Sequence, residues 1–196
     1  KDTFLHTSGF ATGSGSNVGF ADYNNTTEAW SYYQSGTPVS GVLDQGEGHS
    51  VKLAIAGDVV FTGTFNDADV VNIPLTNNTN GYNLIGNPYL ASVSVSELLS
   101  LTNNSDLLSE LTVWLWDQES SSYVQKNLAA NLEIAPGQAF FISANTSGSF
   151  SITESMQSHE SPDTFQRTNN NRPEINLVMT NGEDTSDTDI FYIDGT

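Results

Sequence analysis

The sequence predicts an all-β fold, a β-sandwich of the jelly-roll kind, on three observations. Apolar and aromatic residues fall in short runs such as Trp30 to Tyr33, Val113 to Trp116 and Phe140 to Ile142, too brief to bury a helix face but long enough for strands. Glycine, serine, asparagine and aspartate cluster between the runs, and turns select these residues through positive φ or side-chain bonds to the backbone. Only one stretch carries a good helix start: Ser94 stands three residues before Glu97, the spacing of a capping box. A chain of 196 residues suits one large β domain, so 1–196 is read as a single sandwich-like unit in which 1–80 and 81–196 are candidate halves of a repeat.

Taken in order, residues 1 to 28 are small and polar with a weak alternation at Phe4, Phe10, Val18, Phe20 and Tyr23, which predicts one or two loosely specified edge strands. Trp30 to Tyr33 predicts a short aromatic strand. Ser50 to Ala56 and Val59 to Phe65 predict a hairpin turning at Gly57-Asp58, because glycine accepts positive φ at little cost. One short helix over 94–101 is expected to break at Asn103-Asn104, with a brief turn over Asp106 to Leu111. Strands follow at Thr112 to Trp116, Tyr123 to Lys126, Gln138 to Ser143 and Ser149 to Glu154. The polar stretch 157–173 predicts a long loop before strands at Ile175 to Thr180 and Asp189 to Ile193. Overlaying the halves sets Trp30 to Tyr33 against Trp114 to Trp116, Gly46 to Val51 against Gly137 to Ile142, and Ile73 to Leu75 against Ile175 to Leu177. His49 then falls where Phe140 stands.

Near the middle, Gly81-Tyr82-Asn83-Leu84-Ile85-Gly86-Asn87-Pro88-Tyr89 reads as a strand running into a rigid corner. Pro88 has no N–H for a ladder, the residue before a proline is pushed out of the α region, and the Asn87 amide can close a turn on backbone two residues on. Gly86, Asn87, Pro88 and Tyr89 are therefore structural residues.

This corner, with Phe61 to Asn66 and Val71 to Leu75 before it, resembles a β-rich module used repeatedly in secreted and surface proteins of Bacteroidetes that leave the cell by the type nine secretion route. The likeness continues through Val113 to Asp117, Ile134 to Ile142, Phe165-Gln166-Arg167 and Ile175-Asn176-Leu177. It covers most of the chain from about Trp30 onward. The chain departs from the family pattern at Leu90, where a second proline is usual, and lacks the Asp-Trp pair downstream. The resemblance implies an extracellular or cell-surface location and a non-catalytic structural or adhesive role. It also implies that the chain is a segment of a larger polypeptide, with the export signal and the C-terminal sorting domain outside it.

Composition narrows the partners. Against 23 acidic residues stand 5 basic ones, so phosphate backbones and anionic lipid heads are repelled, and neither nucleic acid nor direct membrane insertion is expected. No apolar run approaches the roughly 18 residues of a membrane helix. Without cysteine there is no disulfide, thiolate nucleophile or zinc–thiolate site. The remaining partners are glycans or other surface proteins.

Two kinds of site are consistent with the residues. Trp114 and Trp116 share one strand face, as stacking platforms for sugar rings do, and Trp30 and Tyr32 add further aromatics. They define the alternative reading, a carbohydrate-binding module appended to a polysaccharide-degrading enzyme. Val113 and Leu115 make the same strand apolar on its other side, which is the pattern of a strand buried in a core. Acidic clusters at 66–69 and 183–189 offer oxygen ligands of the kind calcium takes, with Asp67 and Asp69 as first ligands, and no other cofactor is expected. No nucleophile elbow is present, and the glycosidase pair that could be drawn is Glu110 with Asp117.

Overall fold

The computed structural model describes residues 1, 4–5, 9–64 and 66–158, and the backbone of two further strands at 172–180 and 185–192. The strands are β1 (Asn17–Asn24), β2 (Ala29–Gln34), β3 (His49–Val51), β4 (Val70–Leu75), β5 (Tyr82–Gly86), β6 (Ser92–Ser94), β7 (Thr112–Asp117), β8 (Ser122–Asn127), β9 (Glu133–Ile134), β10 (Ala139–Ser143), β11 (Gly148–Thr153), β12 (Gln157–Ser158), β13 (Arg172–Thr180) and β14 (Thr185–Tyr192). Two short helices, α1 (Val95–Ser100) and α2 (Thr102–Ser105), lie between β6 and β7. Every named pairing is antiparallel: β2-β1-β3, β5-β10-β7-β8, β11-β4, β12-β6-β9 and β13-β14. The chain is all-β and sandwich-like.

Side-chain alternation sorts the layers. On β7, Val113 and Leu115 enter the main core with Ile85, Phe140, Ile142, Phe150 and Leu98, all essentially without exposure. The alternate residues turn to the other face, where Phe141 gathers the rings of Tyr23 (4.9 Å), Tyr123 (5.3 Å), Trp30 (6.1 Å) and Tyr82 (6.4 Å). Through this aromatic layer the β1–β2 hairpin meets the four-stranded sheet. A second, smaller core of Leu5, Phe10, Val18, Phe20 and Val59 lies on the opposite face of β1.

The hairpins β1–β2 and β7–β8 are built alike. They close on the pairs Asn24 with Ala29 and Asp117 with Ser122. In each, the first side-chain oxygen accepts turn N–H groups, Asn24 Oδ1 from Thr26 and Thr27 and Asp117 Oδ1 from Glu119. The last turn residue has positive φ in both, 54° at Glu28 and 48° at Ser121. Next to each turn sits a T-shaped cross-strand pair, Tyr23 with Trp30 (5.6 Å) and Trp116 with Tyr123 (5.1 Å). A third strand flanks the first on its far side, β3 beside β1 and β10 beside β7, each following a glycine of positive φ, Gly46 at 77° and Gly137 at 68°. Counting back from the turns places Asp22 where Leu115 stands. The cross-strand pairs Ala21 with Ser50 and Trp114 with Phe141 place His49 where Phe140 stands.

Several expectations are corrected. Trp30 corresponds to Tyr123 on the second strand of its hairpin, so its overlay on Trp114 is overturned; both runs are aromatic, which is all the overlay detected. Ile73 to Leu75 and Ile175 to Leu177 also pair differently, β4 with β11 and β13 with β14. Asn17–Asn24 is the central strand of its sheet, not an edge. The hairpin at Gly57-Asp58 does not form, because the N-terminal segment takes the bonds it needed: Ala11 N–H donates to Lys52 O (2.8 Å) and Ala54 N–H to Gly9 O (3.1 Å). Val59 enters the second core instead. Where one helix was expected, the described residues between β6 and β7 form two, separated at Leu101, whose ψ is 122°. Ser94 Oγ accepts from Glu97 N–H as expected of the cap. Asn103 and Asn104 do not break the helix; they lie within α2, where buried Asn104 donates to Leu98 O and Ser151 O and accepts from Ser151 N–H. Phe65, Phe165 to Arg167 and most of the expected loop over 157–173 lie outside the described residues.

Candidate functional site

The site grows from the way residues 44–48 cross the outer edge of β5. Gly86 N–H donates to Gly46 O at 2.9 Å and Gly48 N–H to Leu84 O at 3.4 Å. So close an approach needs glycine: a Cβ on Gly46 would lie 2.4 Å from Ile73 Cδ1, and one on Gly48 would lie 2.7 Å from Leu84 Cγ. Beyond this crossing the chain leaves β5 and becomes β3, pairing Asp22 with His49. Glu47 and His49, two residues apart, thus come to one side chain of the neighbouring strand.

His49 Nδ1 lies 2.7 Å from Asp22 Oδ1, and Asp22 Oδ2 accepts a short hydrogen bond from the Tyr33 hydroxyl. The imidazole lies tilted against Phe20, 4.6 Å between centroids. On its other side Nε2 is buried without a hydrogen-bond partner, 3.6 Å from Glu47 Oε2. Side-chain exposures are 11 % for His49, 29 % for Asp22 and 35 % for Glu47. Burial is the largest influence on the Asp22 carboxyl and pushes its pKa up. The hydrogen bonds from His49 and Tyr33, with the charges of His49 and Lys1, outweigh it and hold the pKa below its ordinary value. Burial, the bond to Asp22 and the nearby Asp22 and Glu47 charges push the Tyr33 phenol up.

Asp22 and Glu47 also line a cleft of about 280 Å³ with Asp44, Asn25, Asn83, Tyr23 and Tyr82. Its described lining holds three carboxylates, side-chain amides and two phenols with no basic residue, a surface suited to a cation or a polyhydroxyl compound and hostile to phosphate. Asparagines fasten its rim. Asn83 Nδ2 donates to Thr76 O and Gly81 O, while Asn78 Nδ2 reaches Asn25 Oδ1 and Thr26 Oγ1 in the first hairpin's turn.

The residues singled out from sequence lie elsewhere. Gly86, Asn87, Pro88 and Tyr89 do form a corner whose polar groups are turned inward. Asn87 Nδ2 donates to Ala91 O (2.8 Å), Ile134 O (3.0 Å) and Ala135 O (3.2 Å), and Asn87 Oδ1 accepts from Tyr89 N–H (2.9 Å). The four aromatics make no common platform. Trp114 is buried edge-on to Tyr82 at 5.1 Å, Trp30 is half-buried against Tyr23, Tyr32 is 48 % exposed, and Trp116 is 45 % exposed in contact with Tyr123. Asp67 and Asp69 are exposed in a turn that Asn66 Oδ1 closes by accepting from Ala68 N–H. Among the described residues, the group of three metal-ligating side chains is Asp22, Glu47 and His49. Asp117 is the last residue of β7 and Glu110 stands in the turn before its first, so the two lie at opposite ends of the strand.

The Asp22–His49 pair escaped the sequence reading because its partners are 27 positions apart. The signal that could have found it was the overlay of His49 on Phe140, which on sequence grounds gives His49 a packing role: a polar residue stands at a position that is core in the other half. Compared with family models, with curated proteins and with solved structures, the chain matches none.

Proposed function

We propose that the chain is a non-catalytic structural and adhesive module of a larger secreted or cell-surface bacterial protein. The observation that carries this reading is the fate of the Asn87 amide: its Nδ2 and Oδ1 bond four backbone groups of the corner. That use of the motif carrying the family resemblance is what a scaffold needs. A net charge of −18 supports the same reading, since it keeps such modules soluble and away from nucleic acid. Beads coated with the purified chain are expected to adhere to glycan or protein surfaces without turning anything over. Release of reducing sugar ends by the chain alone would defeat this proposal.

A second reading, a carbohydrate-binding module, is favoured by one feature: Trp116 and Tyr123 are 45 % and 42 % exposed side by side. On that reading, polysaccharide added to the chain shifts tryptophan emission, and Trp116→Ala abolishes both the shift and retention on the polysaccharide. Unchanged emission across a glycan array leaves the adhesive reading in place.

A further inference from the structure

We propose that Glu47 and His49 bind a divalent transition-metal ion of the zinc class, with Asp22 orienting the imidazole. Four observations converge on this. A carboxylate within 2.7 Å of Nδ1 holds a proton on that nitrogen, so Nε2 is the ring atom left to meet a cation. Nε2 is buried, lacks a hydrogen-bond partner and faces the Glu47 carboxylate at 3.6 Å. Atoms so placed call for a cation between them, a proton on Nε2 or a metal ion. A tetrahedral zinc ion holds its nitrogen and oxygen ligands about 2.0–2.2 Å away and hence about 3.3 Å from each other, so a movement of a few tenths of an ångström by the half-exposed Glu47 admits the ion.

The third observation is comparative within the chain. The equivalent positions in the β7–β10 half, Leu115 and Phe140, are among its most buried apolar residues. Where that half packs apolar side chains, this half holds a hydrogen-bonded Asp–His pair, 29 % and 11 % exposed. The fourth is the cleft. Asp22 and Glu47 both line this cavity of about 280 Å³, which also carries Asp44, so the Glu47 side of the site borders it. An imidazole ligand selects zinc, cobalt or nickel over calcium, which takes oxygen ligands alone.

Isothermal titration of the whole chain with zinc chloride, and separately with calcium chloride, tests the proposal. Saturation at one zinc per chain is expected, with calcium binding at least tenfold weaker. Glu47→Gln is expected to weaken zinc tenfold or more, and Asp22→Asn by 10- to 100-fold, the usual cost of losing a partner that orients a ligand. His49→Gln is expected to abolish binding. Because His49 packs on Phe20 and its variant can lose the fold, long-range nitrogen NMR on the unaltered chain supplies a second readout: zinc must move the Nε2 resonance of His49. The proposal is overturned by an absence of saturable zinc binding, by equal binding in Glu47→Gln, or by a proton that remains on Nε2 after zinc is added, the mark of an imidazolium clamped between two carboxylates.

Discussion

At the scale of single residues, Asn87 and Tyr89 show how a corner is held. Asn87→Ala takes the side-chain donor from Ala91 O and Ile134 O and the acceptor from Tyr89 N–H, while Ala135 O keeps Gln138 N–H, and a loss of roughly 3 kcal/mol in urea unfolding is expected. Asn87→Asp is the sharper test. It keeps the acceptor for Tyr89 but turns an oxygen toward the three carbonyls, and its midpoint should fall below that of the alanine variant at neutral pH. The Tyr89 hydroxyl is shared between Ala68 O (3.0 Å) and Ile152 O (3.1 Å). Burial first, then the charges of Glu154 and Asp69, raise its pKa above the ordinary 10.0. The sign follows from linkage: below pH 10 the phenol is neutral folded or unfolded, and above it the unfolded chain ionises first. Stability should therefore fall as pH rises past 10, and Tyr89→Phe should shallow that fall while costing about 1 kcal/mol at neutral pH.

Among elements, the aromatic layer between the β1–β2 hairpin and the four-stranded sheet depends on one ring. Phe141 touches aromatic side chains from β1, β2, β5 and β8 and is 7 % exposed, so Phe141→Ala should cost about 3–5 kcal/mol. Trp114 is 8 % exposed and Trp116 45 % exposed on the same strand. Iodide should quench Trp116 strongly and Trp114 hardly at all in the folded state, a contrast that Trp116→Phe removes. Equal quenching of both would contradict the layer as described. The alternation of β7 put both tryptophans on one face, and the expected burial of the strand in a core holds for Trp114 but not for Trp116.

For the molecule as a whole, charge is the governing quantity. Eighteen net negative charges repel one another over a range that salt shortens to about 8–10 Å at physiological strength. Monovalent salt should accordingly raise the melting temperature by a few degrees. Calcium at constant ionic strength should add nothing further, since Asp67 and Asp69 are exposed and lie outside the described three-ligand group. A calcium-dependent rise lost in Asp67→Asn with Asp69→Asn would restore those residues as a site.

The sequence by itself determined the strands with strong alternation or aromatic content, such as β2, β5, β7, β8, β10 and β11, the helix start at Ser94 and the corner at Asn87-Pro88. These are local matters of backbone preference and side-chain period, complete within a few neighbouring residues. Tertiary structure alone decided which strand each edge would pair with. It gave the edge beside β3 to the N-terminal segment rather than to residues 59–65, and enclosed Asn104 inside α2. It also brought Asp22 and His49 together from neighbouring strands of one sheet, with Glu47 from the crossing at β5. The physical reason is the same in each case: a hydrogen-bonding edge or a buried polar group is satisfied by whichever partner the packed layers bring near, and nothing in a strand's own residues names that partner.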